Sequence, residues 1–415
     1  MSITEENITE ITKIIEQLFN HLLLSEIPKL APYQGYLLIE QPFALDEDGY
    51  FIYFQNLRKS LMLLDDIGNR WSDEALNEKI HNLLIYLADN KSRNVDPSFE
   101  ESARRIVQEL NIAFIRHDCY VPVNGLIVEK RLQIGDVTLL PLQEKPFSVD
   151  GIFTLHLNDF SVERDCLAFT TVEAEPQKSA ELAREKIEKA LNVLRFFGSL
   201  VWWDRPVGHI YLNGKELGRV SYSIVIESGT ENIIGTMGHT ESTPVPFKID
   251  DEFLQFAEFY GFEYIKSLFD QTVLHTEIEN DLLAAIQWFG HAVQELEPLV
   301  SFVKFYIAIE TALKKKKENA GEFLPKRISV LIEPRNKARQ EELETRIAEL
   351  IKERNFVFHA GRPTKFSPEY LSSTGLIFAR QILHHLRLRI TSDNIQTKDD
   401  LISWVQTQSD RLVKK

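Results

Sequence analysis

Hydrophobic residues recur at helical spacing over the first 115 residues of the chain. One such stripe comprises Ile8, Ile11, Ile15, Leu18 and Leu22, and another comprises Leu76, Ile80, Leu83 and Leu87. Apolar side chains three or four positions apart lie on one face of an α-helix. Ser98 followed by Glu101 is typical of a capped helix start. The pattern therefore predicts a helical N-terminal region over residues 1–115.

Near residue 120 the spacing of hydrophobic residues changes from the helical period to the shorter one of β-strands. Residues 116–245 are therefore predicted to be rich in β-strands. Short runs bounded by turn residues carry this signal, namely Leu126–Leu132, Val137–Leu140, Ile152–Leu157 and Leu167–Val172. One long helix is expected among them, over residues 177–200. Residues 220–226 alternate between apolar and polar, which indicates a strand with one solvent-facing side. The Gly- and Thr-rich residues 229–243 indicate a linker.

The remaining residues, 250–415, again show the helical period. Four stripes are separated by clear breaks: Leu282, Ile286, Phe289, Val293 and Leu296; Phe302, Phe305, Ile309 and Leu313; Leu343, Ile347, Leu350 and Arg354; and Leu376, Ala379, Leu383, Leu386 and Ile390. Amphipathic helices joined by short breaks favour a compact bundle. The fold class expected is α+β, with an N-terminal helical and β-rich region followed by an all-α bundle of the four-helix type.

Composition adds limits on the class of protein. The chain has 415 residues, of which 44% are hydrophobic and 26% charged, as in ordinary globular proteins. Its two cysteines, Cys119 and Cys166, lack the spacing of a zinc knuckle and are too few for a disulfide scaffold. No apolar run approaches the ~18 residues needed to span a bilayer. We therefore expect a cytoplasmic protein with no membrane contact.

Charge is distributed unevenly along the chain. The net charge is −15, yet residues 314–415 hold 21 Lys and Arg against 13 Asp and Glu, which leaves 26 against 49 for the preceding residues. A basic segment in an acidic chain is a hint of nucleic-acid contact. The alternative is a set of solvated helix faces that happen to carry lysine.

Arg354 stands where an apolar stripe would continue. It follows Ile347 and Leu350 at helical offsets. A buried guanidinium requires a partner, because arginine does not lose its proton in proteins. Histidine, whose charge changes near neutral pH, follows at His359, shortly before Gly361. Since glycine often ends a helix, we expect the chain to turn there and bring both side chains to one point.

The chain contains a second pair with this spacing, Arg380 and His385. These two residues lie inside a continuous helical pattern, where side chains five positions apart point about 140° apart around the axis. We therefore place the candidate motif at residues 354–359 and interpret Arg380 and His385 as a solvated or core-flanking pair. His384 and His385 are interpreted as structural.

Residues 282–390 resemble a HEPN domain (higher eukaryote and prokaryote nucleotide-binding), in particular the Apea-like subgroup of prokaryotic phage-defence proteins. The resemblance is carried by LLAAIQWFGHAVQELEPLVSFVKFYIAIETAL at 282–313 and by IAELIKERNFVFHAGRP at 347–363. The signature of the family is an arginine, usually with a polar neighbour, and a histidine four to six residues later. Arg354, Asn355 and His359 match it, and Glu310 lies in the helix where the family often keeps an acidic residue.

The resemblance implies a metal-independent endoribonuclease that needs no cofactor and acts as a homodimer, often as a toxin-like effector of antiviral defence. Arg354 would hold the phosphate, Asn355 would orient the histidine or the phosphate, and His359 would transfer protons, with Glu310 in support. Candidate contacts to the RNA backbone are Arg362, Lys314, Lys315, Lys316 and Lys317. A phage-derived or small-molecule trigger is expected to act on residues 1–250.

The residues alone leave other interpretations open. Arg354 could bond helix-end carbonyls or pair with Glu310, and His359 could be a structural histidine. Two other functions remain possible on that basis. One is a non-catalytic HEPN-type module that binds RNA or nucleotide, and the other is a helical dimerisation domain.

Overall fold

The computed structural model describes most of the helical part of the chain and several strands. The described residues are 4–24, 43–45, 54–64, 67–111, 116–141, 144, 166–202, 210–212, 221–226, 233–239, 246–269 and 274–413. The predicted strand Ile152–Leu157 lies outside them. Helices and strands are mixed, and the described part beyond residue 250 is helical. The expected α+β class with a helical C-terminal half is confirmed.

The helices, in chain order, are α1 Glu5–His21, α2 Gln55–Met62, α3 Ile67–Arg70, α4 Asp73–Ser92, α5 Phe99–Leu110, α6 Pro176–Val201, α7 Asp251–Phe259, α8 Phe262–Ser267, α9 Glu277–Val293, α10 Pro298–Leu313, α11 Ala320–Ile332, α12 Lys337–Ala360, α13 Pro368–Asp393 and α14 Lys398–Val413. The strands are β1 Leu22–Leu24, β2 Phe43–Leu45, β3 Arg116–Asn124, β4 Leu126–Val128, β5 Leu132–Ile134, β6 Val137–Pro141, β7 Cys166–Glu173, β8 Tyr211–Leu212, β9 Ser221–Ile226, β10 Ile233–His239 and β11 Phe247–Ile249.

The chain forms two compact units. The first comprises Met1–Cys119 and Thr171–Ala183, and the second comprises Tyr120–Thr170 and Arg184–Lys415. In the first unit the two predicted stripes are buried in one core built from α1 to α5. Ser98 caps α5 as expected, since its hydroxyl accepts a hydrogen bond from the backbone N–H of Glu101 at 3.2 Å.

The second unit joins the strands and the C-terminal helices. A five-stranded sheet has the order β5-β6-β7-β3-β8, and β4 pairs with β11 in parallel. Buried residues of these strands, of α6 and of the helices from α7 to α14 belong to one continuous hydrophobic core. The predicted division into residues 116–245 and 250–415 therefore does not match the compact units. Periodicity locates elements, but it does not tell which of them share a core.

Two local predictions within the β-rich region need correction. The run Leu126–Leu132 forms two short strands, β4 and β5, rather than one. The predicted linker 229–243 contains β10, which pairs with β9 in antiparallel fashion and has an irregularity between Ile233 and Gly235. The long helix expected over residues 177–200 is confirmed as α6.

The C-terminal helices position the candidate site. The four predicted helices are present as α9, α10, α12 and α13, and four further helices of this region, α7, α8, α11 and α14, are additional. Helix α10 packs against α9 and α13, while α11 packs against α12. Within the described part of the chain, no helix has both the length and the apolar composition needed to cross a membrane.

Candidate active site

Helix α12 carries Arg354, Asn355 and His359 on one unbroken stretch of helix. It continues to Ala360 and ends at Gly361, whose φ of 68° is left-handed and whose N–H donates to the carbonyl of Val357 at 2.9 Å. The expected turn between Arg354 and His359 is therefore wrong. The two residues point about 140° apart around the helix axis, as Arg380 and His385 do.

The helix lasts to Ala360 because its terminating interactions lie beyond His359. Glycine adopts the left-handed conformation without steric cost, so Gly361 supplies the stop. The following segment is fixed by Glu353, whose carboxylate accepts hydrogen bonds from the backbone N–H and the hydroxyl of Thr364. Burial would raise the pKa of Glu353, but the bonds from Thr364 hold that pKa below its ordinary value.

Arg354 is held against α10 by an ion pair and an aromatic ring. Its Nη2 donates to Oε1 of Glu310 at 2.8 Å, and its side chain is 22% exposed. The guanidinium carbon lies 5.0 Å from the ring centroid of Tyr306, and Nη1 donates to Oδ1 of Asn355 at 3.0 Å. The pairing with Glu310 that the sequence suggested is present. Nε of Arg354 is buried and has no hydrogen-bond partner.

Tyr306 forms the floor beneath this guanidinium. It is 4% exposed, and its hydroxyl has no hydrogen-bond partner. Burial raises the pKa of Tyr306 strongly, the carboxylate of Glu310 raises it further, and Arg354 partly opposes both. The phenol is therefore neutral near pH 7 and cannot serve there as a base.

Asn355 and His359 lie one turn apart on the exposed side of α12. Because they are four positions apart, their side chains point within about 40° of each other. The ring of His359 contacts the ring of Phe358 edge-on, with centroids 5.5 Å apart. Asn355 is thus bonded to Arg354 and stands on the face that carries His359. Glu310, Arg354 and Asn355 are joined by hydrogen bonds. His359 is not bonded to them, but its ring contacts Phe358, which also lies near Arg354.

Phe358 belongs to the surface around Arg354 although it is no part of the sequence motif. It lies four positions after Arg354 on the inward stripe of α12, yet it is 68% exposed. The guanidinium carbon of Arg354 is 6.0 Å from its ring centroid. Phe356, two residues earlier, is 49% exposed. The sequence does contain a signal for this position, because Phe358 continues the spacing of Leu350 and Arg354. At Phe358 this face of α12 is no longer covered by other helices.

The basic candidates line the adjacent helix end and loop. Lys314 follows the end of α10, with its Nζ 4.0 Å from Oε2 of Glu310. Lys315 pairs with Asp399 at 2.6 Å. Two further lysines, Lys316 and Lys317, are exposed.

Arg362 is exposed just past the end of α12. Arg380 and His385 are the second arginine–histidine pair that lies five positions apart. Arg380 is half-buried and donates to the backbone carbonyl of Ser199 at 2.7 Å. His385 is also half-buried. Both flank the core, as interpreted from the sequence.

The candidate site contains a guanidinium, an amide and an imidazole, and exposed aromatic rings lie beside them. Among the described residues, no group of three His, Cys, Asp or Glu side chains is arranged to hold a metal ion. Comparisons with protein-family models, with curated proteins and with solved structures found no match.

Proposed function

We propose that the chain is a metal-independent endoribonuclease of the HEPN type. The observation that carries the proposal is the anchoring of Arg354. Its guanidinium is fixed by Glu310 and Tyr306 at an exposed helix end beside Asn355 and His359. A preorganised cation next to a titratable group suits reactions in which negative charge develops on a phosphate.

The proposed reaction is attack of a ribose 2′-OH on the neighbouring phosphorus. His359 accepts the proton of the hydroxyl or delivers one to the leaving 5′-oxygen. Arg354 neutralises the charge that builds on the phosphoryl oxygens, and Asn355 orients the phosphate. The products carry 2′,3′-cyclic phosphate and 5′-hydroxyl ends. DNA lacks the 2′-OH, so RNA is the substrate.

A homodimer explains how residues that diverge on one helix serve one phosphate. Arg354 and His359 point about 140° apart, so a site assembled from Arg354 of one copy and His359 of another avoids the divergence. Phe356 and Phe358 are 49% and 68% exposed at this end of α12 and offer an apolar surface for the second copy. Lys314, Lys316, Lys317 and Arg362 then border the cleft and steer the RNA backbone.

The resemblance of residues 282–390 to HEPN domains also indicates a cellular role for the proposed nuclease. A nuclease of this type acts in the cytoplasm as a toxin-like effector of antiviral defence, with residues 1–250 receiving the trigger. Expression of the free enzyme then arrests growth, and both Arg354→Ala and His359→Ala relieve the arrest.

The ion pair itself favours a second candidate function. Because Glu310 already engages Arg354 at 2.8 Å, the arginine could serve the structure of a non-catalytic HEPN-type module that binds RNA or nucleotide. Such a module retains RNA when His359 is replaced by Ala and never cleaves it.

The test is cleavage of a mixed tRNA and mRNA substrate in EDTA. Wild type, His359→Ala and Arg354→Ala are compared with Arg339→Ala, in which an exposed arginine at the other end of α12 is removed. Cyclic-phosphate products from wild type and Arg339→Ala alone support the proposal. Equal cleavage by His359→Ala overturns it, and RNA binding without cleavage by any variant favours the binding module.

A further inference from the structure

A cleft distinct from the candidate active site lies in the second compact unit, where the sheet meets the start of the helical bundle. Its volume is about 240 Å³. The turn between β5 and β6, helix α6, the end of α8 and the residue before the N-cap of α9 line it. We call this space the α6 cleft. It shares no lining residue with the candidate active site.

The floor of the α6 cleft is apolar and belongs to the core of the second unit. Ile134, Val137 and Leu268 are buried, and Phe269 is half-buried and packs against the same core. A ligand with an apolar body displaces water from these side chains, and the gain in free energy grows with the apolar area that it covers. The volume of the cleft leaves room for on the order of ten non-hydrogen atoms.

Close contacts hold the elements around the cleft in place. Gly135, in the turn between β5 and β6, has a left-handed φ of 58°, and a methyl group on it would lie 2.7 Å from Cβ and from the carbonyl oxygen of Phe269. The turn is therefore pressed directly onto the end of α8. The next residue, Asp136, forms an ion pair with Lys186 of α6. The cleft is thus preformed, which reduces the free energy that a ligand loses to ordering the protein.

One cation of the cleft has no counter-ion. The carboxylate of Asp136 neutralises Lys186. Lys189 follows Lys186 at an offset of three, so the two side chains lie on one face of α6. Lys189 is exposed, and its ammonium forms no ion pair with any residue that the structure describes. The imidazole of His275 adds a polar group to the lining. The α6 cleft therefore combines an apolar floor with one unpaired positive charge.

These features select both the charge and the shape of a ligand. A single unpaired ammonium matches the single charge of a carboxylate. A phosphate dianion would bring a second negative charge for which the cleft has no partner, and the carboxylate of Asp136 would repel it more strongly. The apolar floor favours a hydrocarbon body over a polar one. The chemistry of the lining is therefore that of a site for an amphipathic monoanion.

We propose that the α6 cleft binds a small monocarboxylate with a hydrocarbon body. The carboxylate pairs with Lys189, and the hydrocarbon lies on Ile134, Val137, Leu268 and Phe269. The ion pair fixes the orientation of the ligand, and burial of its apolar part supplies most of the affinity, because an exposed ion pair contributes little by itself. The proposal does not depend on RNA cleavage.

The test is a ligand-observed NMR titration of the full chain with octanoate, butyrate, octan-1-ol and inorganic phosphate. We expect octanoate to bind with a Kd of about 1 mM or below, and butyrate to bind at least about tenfold more weakly because it covers less of the floor. Lys189→Met should weaken octanoate at least about fivefold, which corresponds to about 1 kcal/mol. Lys178→Met is the matched control, because Lys178 lies on the same helix and does not line the cleft.

Two further readouts separate recognition of the carboxylate from apolar adsorption and from misfolding. Lys189→Met should weaken octanoate and leave octan-1-ol unchanged, whereas Phe269→Ala should weaken both. The Lys189→Met protein should melt at the temperature of wild type, because the side chain is exposed and unpaired. The proposal is overturned if wild type does not bind octanoate at millimolar concentration, if Lys189→Met binds it as wild type does, or if octan-1-ol or inorganic phosphate binds at least as tightly as octanoate.

Discussion

The guanidinium of Arg354 on α12 donates a hydrogen bond to the carboxylate of Glu310 on α10 at 2.8 Å, above the ring of Tyr306. This contact both fixes the cation and ties two helices together. Its contribution to the free energy of unfolding and its contribution to RNA cleavage can be separated by measuring both quantities on the same variants.

We expect Glu310→Gln and Arg354→Met to be coupled in a double-mutant cycle. The side chains are 17% and 22% exposed, so the charge-assisted bond should contribute roughly 1–2 kcal/mol of coupling to the free energy of unfolding. Denaturant unfolding of wild type, both single variants and the double variant measures it. Additive effects would show that the pair contributes nothing to stability.

Cleavage is expected to respond differently from stability. Under conditions where every variant is folded, Arg354→Met should lose at least about a hundredfold in rate, the usual scale for removing one charge-stabilising donor. Glu310→Gln should lose less, because the guanidinium remains. A folded Arg354→Met protein with wild-type cleavage would leave Arg354 a purely structural residue.

A composite site predicts recovery of activity when two inactive variants are mixed. If Arg354 and His359 come from different copies, a dimer of one Arg354→Ala chain and one His359→Ala chain contains one intact site. Random pairing should restore about a quarter of wild-type cleavage, because half of the dimers are mixed and each has one of its two sites. Co-expression followed by the cleavage assay measures this recovery.

The control for that experiment is a mixture of Arg354→Ala with the doubly substituted chain. It contains no intact site under either arrangement and should stay inactive. Failure of the first mixture to recover, with mixed dimers present, would mean that both residues act from one chain or that neither acts.

The positions of the helices were largely predictable, because a helix buried on one face has apolar residues at intervals of three and four. Helices α9, α10, α12 and α13 all follow stripes that could be counted. Helix α11 was not predicted, and it contains Pro325 in its interior, a residue that normally argues against a helix. The shared core of strands and C-terminal helices is set by long-range packing, which periodicity does not record.

The geometry of the candidate site was only partly predictable. The cost of burying a guanidinium predicted that Arg354 has a partner, and of the two candidates, helix-end carbonyls and Glu310, Glu310 is paired with it. The expected convergence of Arg354 and His359 at one point was wrong, because α12 stays helical past His359. The helix instead uses Gly361 as its cap and keeps His359 within its last turn.

The buried network around Arg195 should make Gly290→Ala destabilising. A methyl group at Gly290 would meet Oδ1 of Asn192 at 2.1 Å. Asn192 accepts a hydrogen bond from the fully buried Arg195, which also pairs with Glu188 at 2.8 Å. We expect the free energy of unfolding to fall by about 2–4 kcal/mol, from overpacking and disruption of this network. Denaturant unfolding measures it.

Gly321→Ala provides the matched control for that substitution. Gly321 also lies in a helix, but the nearest atom to its added methyl group would be 3.5 Å away. Alanine favours helix over glycine, so stability should be unchanged or higher by up to about 1 kcal/mol. Equal stability of the two variants would contradict the packing argument.

His384 should make stability depend on pH in the weakly acidic range. Burial, followed by the charges of Arg387 and His385, lowers the pKa of His384 to about 4, and the ring of Tyr260 contacts the His384 ring edge-on. An unfolded histidine takes up its proton near pH 6.5. As pH falls from about 6.5 to 4, the unfolded state binds a proton that the folded state does not, so the free energy of unfolding decreases.

The decrease attributable to His384 should be on the order of 1–2 kcal/mol, because partial exposure of the ring screens the effect. Wild type and His384→Gln are compared by denaturant unfolding at a series of pH values. Carboxylates with lowered pKa values, such as Glu318 and Glu353, lose their contributions at lower pH in both proteins, so the difference isolates His384. The gap between the two curves should change between pH 6.5 and 4. A constant gap for His384→Gln would mean that His384 is protonated in the folded protein as readily as in the unfolded chain.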